Sequence, residues 1–495
     1  MEAPSHQTRV SDTKSLMWLL PAAALLFFSN GRWIVPAAAW WAPVFLLRFV
    51  RTQRPWVGLG AACAVSIVIP ALTWKGLIPL HDWRYFLVTS FMGLMSFLPY
   101  ALDRMGVSRL RGFASTLVFP MAWVAIEQLS VWTSPFGSWG SAAYTQAENL
   151  PLVQIVSVAG LPAVVFLMAW FASAVNGAWE SDFEGPGARA GVLGYAALLA
   201  IVLLAGSARL ALLPPRAATV RVASLTVKPA RPVEIWRSGQ GPLSDAEMTS
   251  IRRGAAALFD SLLDRSRREA RAGARIVVWS EGSAVCFKED EPGLISRAGE
   301  FSRREGIYLF VALVTFTPGR PLHENQLLTF DPAGRLAIRY HKARPAPGDP
   351  ETGADRSLPI LASPFGRMGG AICYDMDFPD LVREQGRAGV DFMLVPSSDW
   401  KELDPLHTRM ALVRGVENGC SVVRQTANGL SAAADYEGRL LATMDYFRTE
   451  DRVMVAQVPT RGVRTVYSRV GDLFAWMCIV GLFLALGAAA RLPPR

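Results

Sequence analysis

Eight apolar runs dominate the chain and constrain what it can fold into. They fall at about residues 15–30, 33–49, 56–74, 85–102, 113–130, 153–176, 190–208 and 472–490. An α-helix rises 1.5 Å per residue, so about 20 apolar residues are needed to cross a hydrocarbon core of about 30 Å. Any one run could be a buried core helix; eight together imply a polytopic helical membrane protein. Composition agrees, because 51% of the 495 residues are hydrophobic and only 18% are charged, against about 25% charged in soluble domains. With a mean hydropathy of +0.25, disorder, collagen and a small disulfide scaffold are excluded.

The first two runs are short and separated sharply only at Arg32, which predicts a tight hairpin. Arg9 and Lys14 precede an apolar stretch of signal-peptide length. However, Ser29-Asn30-Gly31-Arg32 is a poor cleavage site and a second apolar run follows at once, so the first run reads as a retained helix. Lys and Arg near the helix ends set orientation. With the N-terminus inside, the inner segments hold Arg9, Lys14, Arg48, Arg51, Arg54, Arg104, Arg109, Arg111, Arg189, Arg491 and Arg495, and the outer short loops only Arg32, Lys75 and Arg84. That asymmetry accounts for much of the net charge of +9 without nucleic acid. Seven crossings then put the block after residue 210 outside the cytoplasm, and the eighth returns the C-terminus inside.

The expected organisation is a membrane domain over residues 1–210, an extracytoplasmic block over 217–462, and a last helix with a cytoplasmic tail over 470–495. The middle block reads as α/β. Short β-rich runs (ATVRVASL, ARIVVWSE, GIYLFVALVTF, GRMGGAICYD, VDFMLVPSSD, GCSVVRQTANG) alternate with charged helical stretches. Ile251, Leu258, Leu262 and Leu263 recur at helical spacing. QLLTFDPAGRLAIRYHK turns at PAG, and LSAAADYEGRLLATM turns at Glu437-Gly438.

Three strand ends carry reactive residues: Glu281 closes IVVWSE, Lys342 follows LAIRYH, and Cys373 lies in GGAICYD. Reacting groups of open α/β sheets sit where strands give way to loops. Singly, such residues are most often a solvated carboxylate, a surface lysine and a buried thiol. Their order and spacing, WSE, then YHK about 60 residues on, then ICYD about 30 further, resemble the nitrilase (carbon–nitrogen hydrolase) superfamily and its Glu–Lys–Cys triad. VPSSDW and HTRMALVRGVENGCSVVRQTANG extend that resemblance over nearly the whole block. A free thiol near pKa 8.5 is mostly protonated at neutral pH, so a carboxylate that takes its proton during attack is chemically apt. Glu281 fills that role, while Lys342 and the Tyr374 N–H face a developing oxyanion.

An α/β nitrilase-like block (an αββα sandwich) between the last two of eight membrane helices resembles the apolipoprotein N-acyltransferase family. SPFGSWGSAAYTQ (Ser134 to Gln146), RTVYSRVGDLFAW (Arg464 to Trp476) and Trp236 support this. Trp139, Tyr144 and Trp236 read either as interfacial anchors or as lipid contacts. The resemblance implies a bacterial inner-membrane enzyme that takes an acyl chain from a phospholipid onto Cys373. A diacylglyceryl-cysteine lipoprotein is the implied acceptor. No cofactor is expected: no CxxC, Cys/His cluster, HExxH or GxxxxGK[ST] occurs. Two departures stand out. The family's P-x-G-E segment reads ARPAPGDPETG here, leaving Asp349 and Glu351 as alternatives for the supporting carboxylate, and Asp375 stands where the family tends to have Glu. The rival readings are a membrane-tethered amidase, favoured by CYDMDFPD, and an inactive nitrilase fold used as a binding module. His341 and His407 read as structural, Cys63 and Cys478 as helix packing, and Cys286 could pair with Cys420. Glu127 is a carboxylate inside an apolar run and a functional candidate on that ground.

Overall fold

The computed structural model describes residues 12–107, 109–110, 112–181, 186–228, 243–318, 323–351 and 355–492. The chain forms two compact units, Met1–Ala208 with Gly471–Arg495, and Arg209–Val470. Every apolar run becomes helical: α1 (Asp12–Ser29), α2 (Pro36–Thr52), α3 (Pro55–Thr73), α4 (Trp83–Val107), α5 (Phe113–Thr133), α6 (Leu161–Glu180), α7 (Pro186–Leu212) and a C-terminal helix, Leu473–Ala490.

Among the described residues, six helices are long and apolar enough to cross a bilayer: α3 to α6, residues Arg189–Leu212 of α7, and the C-terminal helix. The eight expected spans thus become six of full length and a shorter pair, because the apolar helix of α1 covers only Ser15–Ser29 and α2 has 17 residues. That pair makes the expected hairpin. Val35 N–H donates to Phe28 O at 2.8 Å, and Trp18 stacks on Phe45 with ring centroids 6.0 Å apart. The sixth run also departs from expectation. It opens as two short turns, Leu150–Val153 and Val156–Ala159, before α6 starts after Gly160. Gly160 has φ 72°, which glycine adopts without strain, and Pro162 stands in the first turn of α6 where its missing N–H costs nothing.

Arg51 and Glu127 both have side-chain partners in this unit. Arg51 makes a two-pronged contact with buried Asp103, Nε to Oδ2 and Nη2 to Oδ1, both at 2.8 Å. Ser141 and Glu127 hydrogen-bond, tying the loop after α5 back to that helix. Helices α3 and α4 meet backbone to backbone, and a Cβ on Gly93 would lie 2.4 Å from Ser66 O.

In the second unit, a seven-stranded sheet runs β13-β1-β2-β4-β5-β6 with β3 also on β4, and a six-stranded sheet runs β12-β11-β10-β9-β8-β7. The first comprises β1 (Thr219–Leu225), β2 (Ile276–Trp279), β3 (Ala284–Phe287), β4 (Tyr308–Phe316), β5 (Glu324–Phe330), β6 (Leu336–His341) and β13 (Val453–Pro459). The second comprises β7 (Ile360–Ser363), β8 (Gly366–Gly370), β9 (Phe392–Ser398), β10 (Ser421–Ala427), β11 (Leu430–Ala434) and β12 (Leu440–Asp445). Helices α8 (Asp245–Arg271) and α9 (Glu291–Glu305) cover the first sheet, while α10 (Pro379–Ala388) and α11 (Leu406–Asn418) belong with the second. A capping box of Ser244 and Glu247 starts α8. Its buried stripe, Ile251, Ala255, Phe259, Leu262 and Leu263, packs on the sheet, with Phe259 edge-on to Trp279. Each of its large side chains contributes about 1.5–3 kcal/mol by burial. The sheets approach closely where Gly370 meets Leu327, since a Cβ there would stand 2.8 Å from the leucine.

Small residues govern helix approach inside membranes. Gly93→Val is therefore expected to separate α3 from α4 and lower the thermal midpoint of the detergent-solubilised protein. An unchanged midpoint would contradict the contact.

Candidate active site

Strand direction brings the reactive residues to one end of the second unit. β2 is parallel to β4, and β6 reverses twice from β4 through β5, so Glu281 and Lys342 leave the first sheet at the same edge. β8, β9 and β10 are parallel in the second sheet, and Cys373 follows β8.

Glu281, Lys342 and Cys373 are all buried. The Lys342 backbone N–H donates to Asn325 O at 2.9 Å, which extends the β5–β6 ladder to the lysine. Its Nζ donates to Glu281 Oε1 at 2.9 Å and to Glu351 Oε1 at 3.4 Å. Asn325 Nδ2 donates to the same two oxygens at 2.7 and 2.8 Å. Burial opposes the ammonium, yet Glu281 and Glu351 hold the Lys342 pKa well above its ordinary value. Burial likewise opposes the Glu351 carboxylate, but His323, Lys342 and Asn325 keep its pKa below the usual range.

Of the two alternative carboxylates, Glu351 makes the ion pair with Lys342. Asp349 interacts with Lys342 only electrostatically among the described contacts, and burial pushes its pKa up to about 6.

Cys373 has φ 46°, a left-handed conformation that costs a non-glycine residue about 1–3 kcal/mol. Asp375 holds this elbow. Its carboxylate accepts from Ile372 N–H at 2.9 Å, Tyr340 O–H at 2.8 Å and Arg344 N–H at 2.9 Å. The strand that delivers Lys342 is thereby joined to the turn that carries Cys373. Burial pushes the Asp375 pKa up to about 6. Tyr374 is buried with its ring edge-on to Phe378.

Burial, and then Glu281, raise the pKa of the Cys373 thiol, while His407 works in the opposite sense. His407 reads from sequence as a structural residue, yet one ligating atom each from Cys373, Asp399 and His407 lie within 4.8 Å of one another. That compactness would suit a metal ion, but a guanidinium already occupies the position. Arg424 Nη2 is 3.9 Å from Cys373 Sγ, 2.8 Å from Asp399 Oδ1 and 2.9 Å from His407 Nδ1. Asn325, Asp377, Asp399 and Arg424 were not identified as site residues from sequence. The available signal was a charged residue inside the apolar strand SVVRQTA.

The remaining candidates lie elsewhere. Trp139 and Tyr144 belong to the first unit, where Trp139 packs against Trp74 with centroids 6.4 Å apart. Tyr144 is buried and shares a 2.8 Å hydrogen bond with Ser138. Trp236 lies outside the described residues. All five cysteines are free, so the Cys286–Cys420 pairing does not form.

A carbon–nitrogen hydrolase family model matches residues 248–467, and a model described as the apolipoprotein N-acyltransferase N-terminal domain matches residues 22–174. The apolipoprotein N-acyltransferase of Geobacter metallireducens is 26% identical over 416 residues, covering 77% of this chain and 75% of its own. That of Chromobacterium violaceum is 26% identical over 516 residues, covering 95% and 93%. A crystal structure of an amidase from Nesterenkonia sp. is 18% identical, covers 53% of this chain and 97% of its own, and gives a TM-score of 0.41. The second unit is thus a carbon–nitrogen hydrolase domain of the nitrilase superfamily. With its helical N-terminal region, the chain belongs to the apolipoprotein N-acyltransferase family. It is a multi-pass bacterial membrane protein and an acyltransferase.

Losing a hydrogen bond to a charged group costs about 1.5–3 kcal/mol, or about 10- to 100-fold. Asn325→Ala and Glu351→Gln are each expected to slow acyl transfer by that order, whereas Asp349→Asn leaves the rate essentially unchanged. Initial rates of the purified variants check the assignment; the reverse ranking would make Asp349 the supporting carboxylate.

Proposed function

We propose that this acyltransferase works by a two-step exchange at Cys373. A phospholipid gives its acyl chain to the cysteine, and the α-amine of a diacylglyceryl-cysteine lipoprotein takes it. The observation that carries this reading is the buried Lys342–Glu281 contact of 2.9 Å, in the unit that also holds Cys373 on a strained turn.

The chemistry follows from those residues. The hydrogen bonds from Asn325 and Lys342 to Glu281 both fall on Oε1, which leaves Oε2 to take a proton. Because the thiol pKa is raised, Cys373 is a neutral thiol at rest. Glu281 accepts that proton as sulfur attacks the ester carbonyl, then gives it to the departing alkoxide, releasing lysophospholipid and leaving a thioester. In the second step the lipoprotein amine attacks the thioester carbonyl. Glu281 takes the amine proton and returns it to the sulfur as the C–S bond breaks and the amide forms. Lys342 Nζ and the Tyr374 N–H stabilise the oxyanion of both tetrahedral intermediates. Loss of one such donor typically costs around 100- to 1000-fold. The thioester conserves the acyl-group free energy, so the scheme requires no nucleotide or metal.

The bias of Lys and Arg toward one set of loops supports cytoplasmic termini, with the catalytic block of residues 217–462 outside the cytoplasm. Both proposed lipid substrates are then available in the outer leaflet. Trp139, Tyr144 and Trp236 are proposed as lipid-contacting residues on the family resemblance of their segments.

Mass spectrometry of detergent-purified protein tests the scheme. Incubation with phospholipid is expected to add one fatty-acyl mass at Cys373, and a diacylglyceryl-cysteine peptide then removes it as an N-acyl product. Clearance at the same rate by buffer alone would mean hydrolysis. A Cys373 that alkylates readily but takes no acyl mass would exclude a phospholipid donor.

A further inference from the structure

His407 stands at the start of α11 with both ring nitrogens engaged. Nδ1 lies 2.9 Å from Asp399 Oδ1, and Nε2 lies 3.0 Å from Asp377 Oδ2. Arg424 Nη2 also stands 2.9 Å from Nδ1, and both nitrogens lie within hydrogen-bond distance of the same Asp399 Oδ1. With a carboxylate at each ring nitrogen, the doubly protonated ring is the form that satisfies both acceptors. Asp399 is ionised because Arg424 grips it as a fork, Nη1 to Oδ2 at 2.7 Å and Nη2 to Oδ1 at 2.8 Å. The network is closed by Thr408, whose Oγ1 lies 2.6 Å from Arg424 Nη1. His407, Asp377, Asp399 and Arg424 are all almost fully buried, so solvent hardly screens them.

We propose that His407 and Arg424 are positioning residues that form a permanent cationic floor beneath Cys373, stabilising the sulfur as it gains negative charge, and that His407 never serves as the base. A histidine near a cysteine nucleophile usually accepts the thiol proton. Here each ring nitrogen already faces a carboxylate while the ring also contacts the thiol, so it meets the sulfur as a donor and proton transfer is left to Glu281. The groups facing His407 are Asp377 from the turn after Cys373, Asp399 after β9, Arg424 on β10 and Cys373 itself; Glu281 and Lys342 face the sulfur from the first sheet. Burial and Arg424 oppose the imidazolium, but the two carboxylates outweigh them, and the His407 pKa stands well above its ordinary value.

The inference rests on Cys373 as the nucleophile, but its test does not require acyl transfer. The rate of iodoacetamide alkylation at Cys373, read by peptide mass spectrometry on the full-length detergent-purified chain, is measured from pH 5 to 10. The wild-type protein is expected to follow one thiol ionisation with no inflection near pH 6.5. His407→Gln is expected to move that ionisation upward by about one unit, slowing alkylation at pH 7 about tenfold. Arg424→Lys, which keeps a positive charge, retains most of the wild-type rate. A wild-type inflection near pH 6.5 would overturn the proposal even if no variant folded, because it would mean that His407 titrates with the nucleophile. A folded His407→Gln with the wild-type profile would overturn it as well. Failure of the acylation scheme instead appears as normal alkylation without an acyl adduct.

Discussion

One buried ammonium, Lys342, stands against two buried carboxylates, and the rest of the site depends on that imbalance. Removing charges from water costs several kcal/mol per ion, which is repaid only when partners and hydrogen bonds are well aligned. Asn325 supplies the alignment by donating to both glutamates from one amide, so that Glu281 and Glu351 point at the same lysine, with His323 beside Glu351. Both Asn325 and Lys342 come from the β5–β6 hairpin. A slip of one residue in that register would turn the lysine to the opposite face. The hairpin thus sets the electrostatics as well as the fold.

Asp375 extends this dependence across the two sheets. It binds Tyr340 from the first sheet and the Ile372 N–H beside the cysteine turn of the second. The shorter Asp side chain suffices because Tyr340 reaches toward it. Strain at Cys373 persists because these contacts over-determine the turn. Cys373 is held relative to Lys342 through Asp375, which binds Tyr340, two residues before Lys342, and Ile372, one residue before Cys373.

Much of this was legible in the sequence. Apolar runs located the membrane helices because burial in lipid demands an uninterrupted hydrophobic stretch. The limits lay where length and charge compete, as in α2, which ends in Arg48 and Arg51, and where Gly160 and Pro162 reset a helix start inside a continuous apolar run. Glu281, Lys342 and Cys373 are bland singly as strand ends; what marked them was their order and spacing, which resemble the Glu–Lys–Cys triad of the nitrilase superfamily. Asn325 and His407 escaped because neither breaks a pattern: an asparagine near a strand start and a histidine at a helix start are ordinary. The choice between Asp349 and Glu351 depended on the path of a loop, which sequence spacing does not determine.

On the proposed reading, the two charge networks around Cys373 divide the work of a thioester enzyme. On one side, Glu281 takes up and gives back a proton in each of the two steps of the proposed scheme, and its hydrogen bonds come from one lysine and one neutral amide. On the other, Asp377, His407, Asp399 and Arg424 neutralise one another in two anions and two cations, a set that gains nothing by exchanging protons. Sulfur must be a good nucleophile in the first step and a good leaving group in the second. A base alone serves the first need, because it removes the proton during attack. Expulsion of sulfur from the second tetrahedral intermediate is helped by positive charge that is already in position. Fixed cations act without reorganisation at the moment the C–S bond breaks, and their burial keeps them effective where an acyl chain has excluded water.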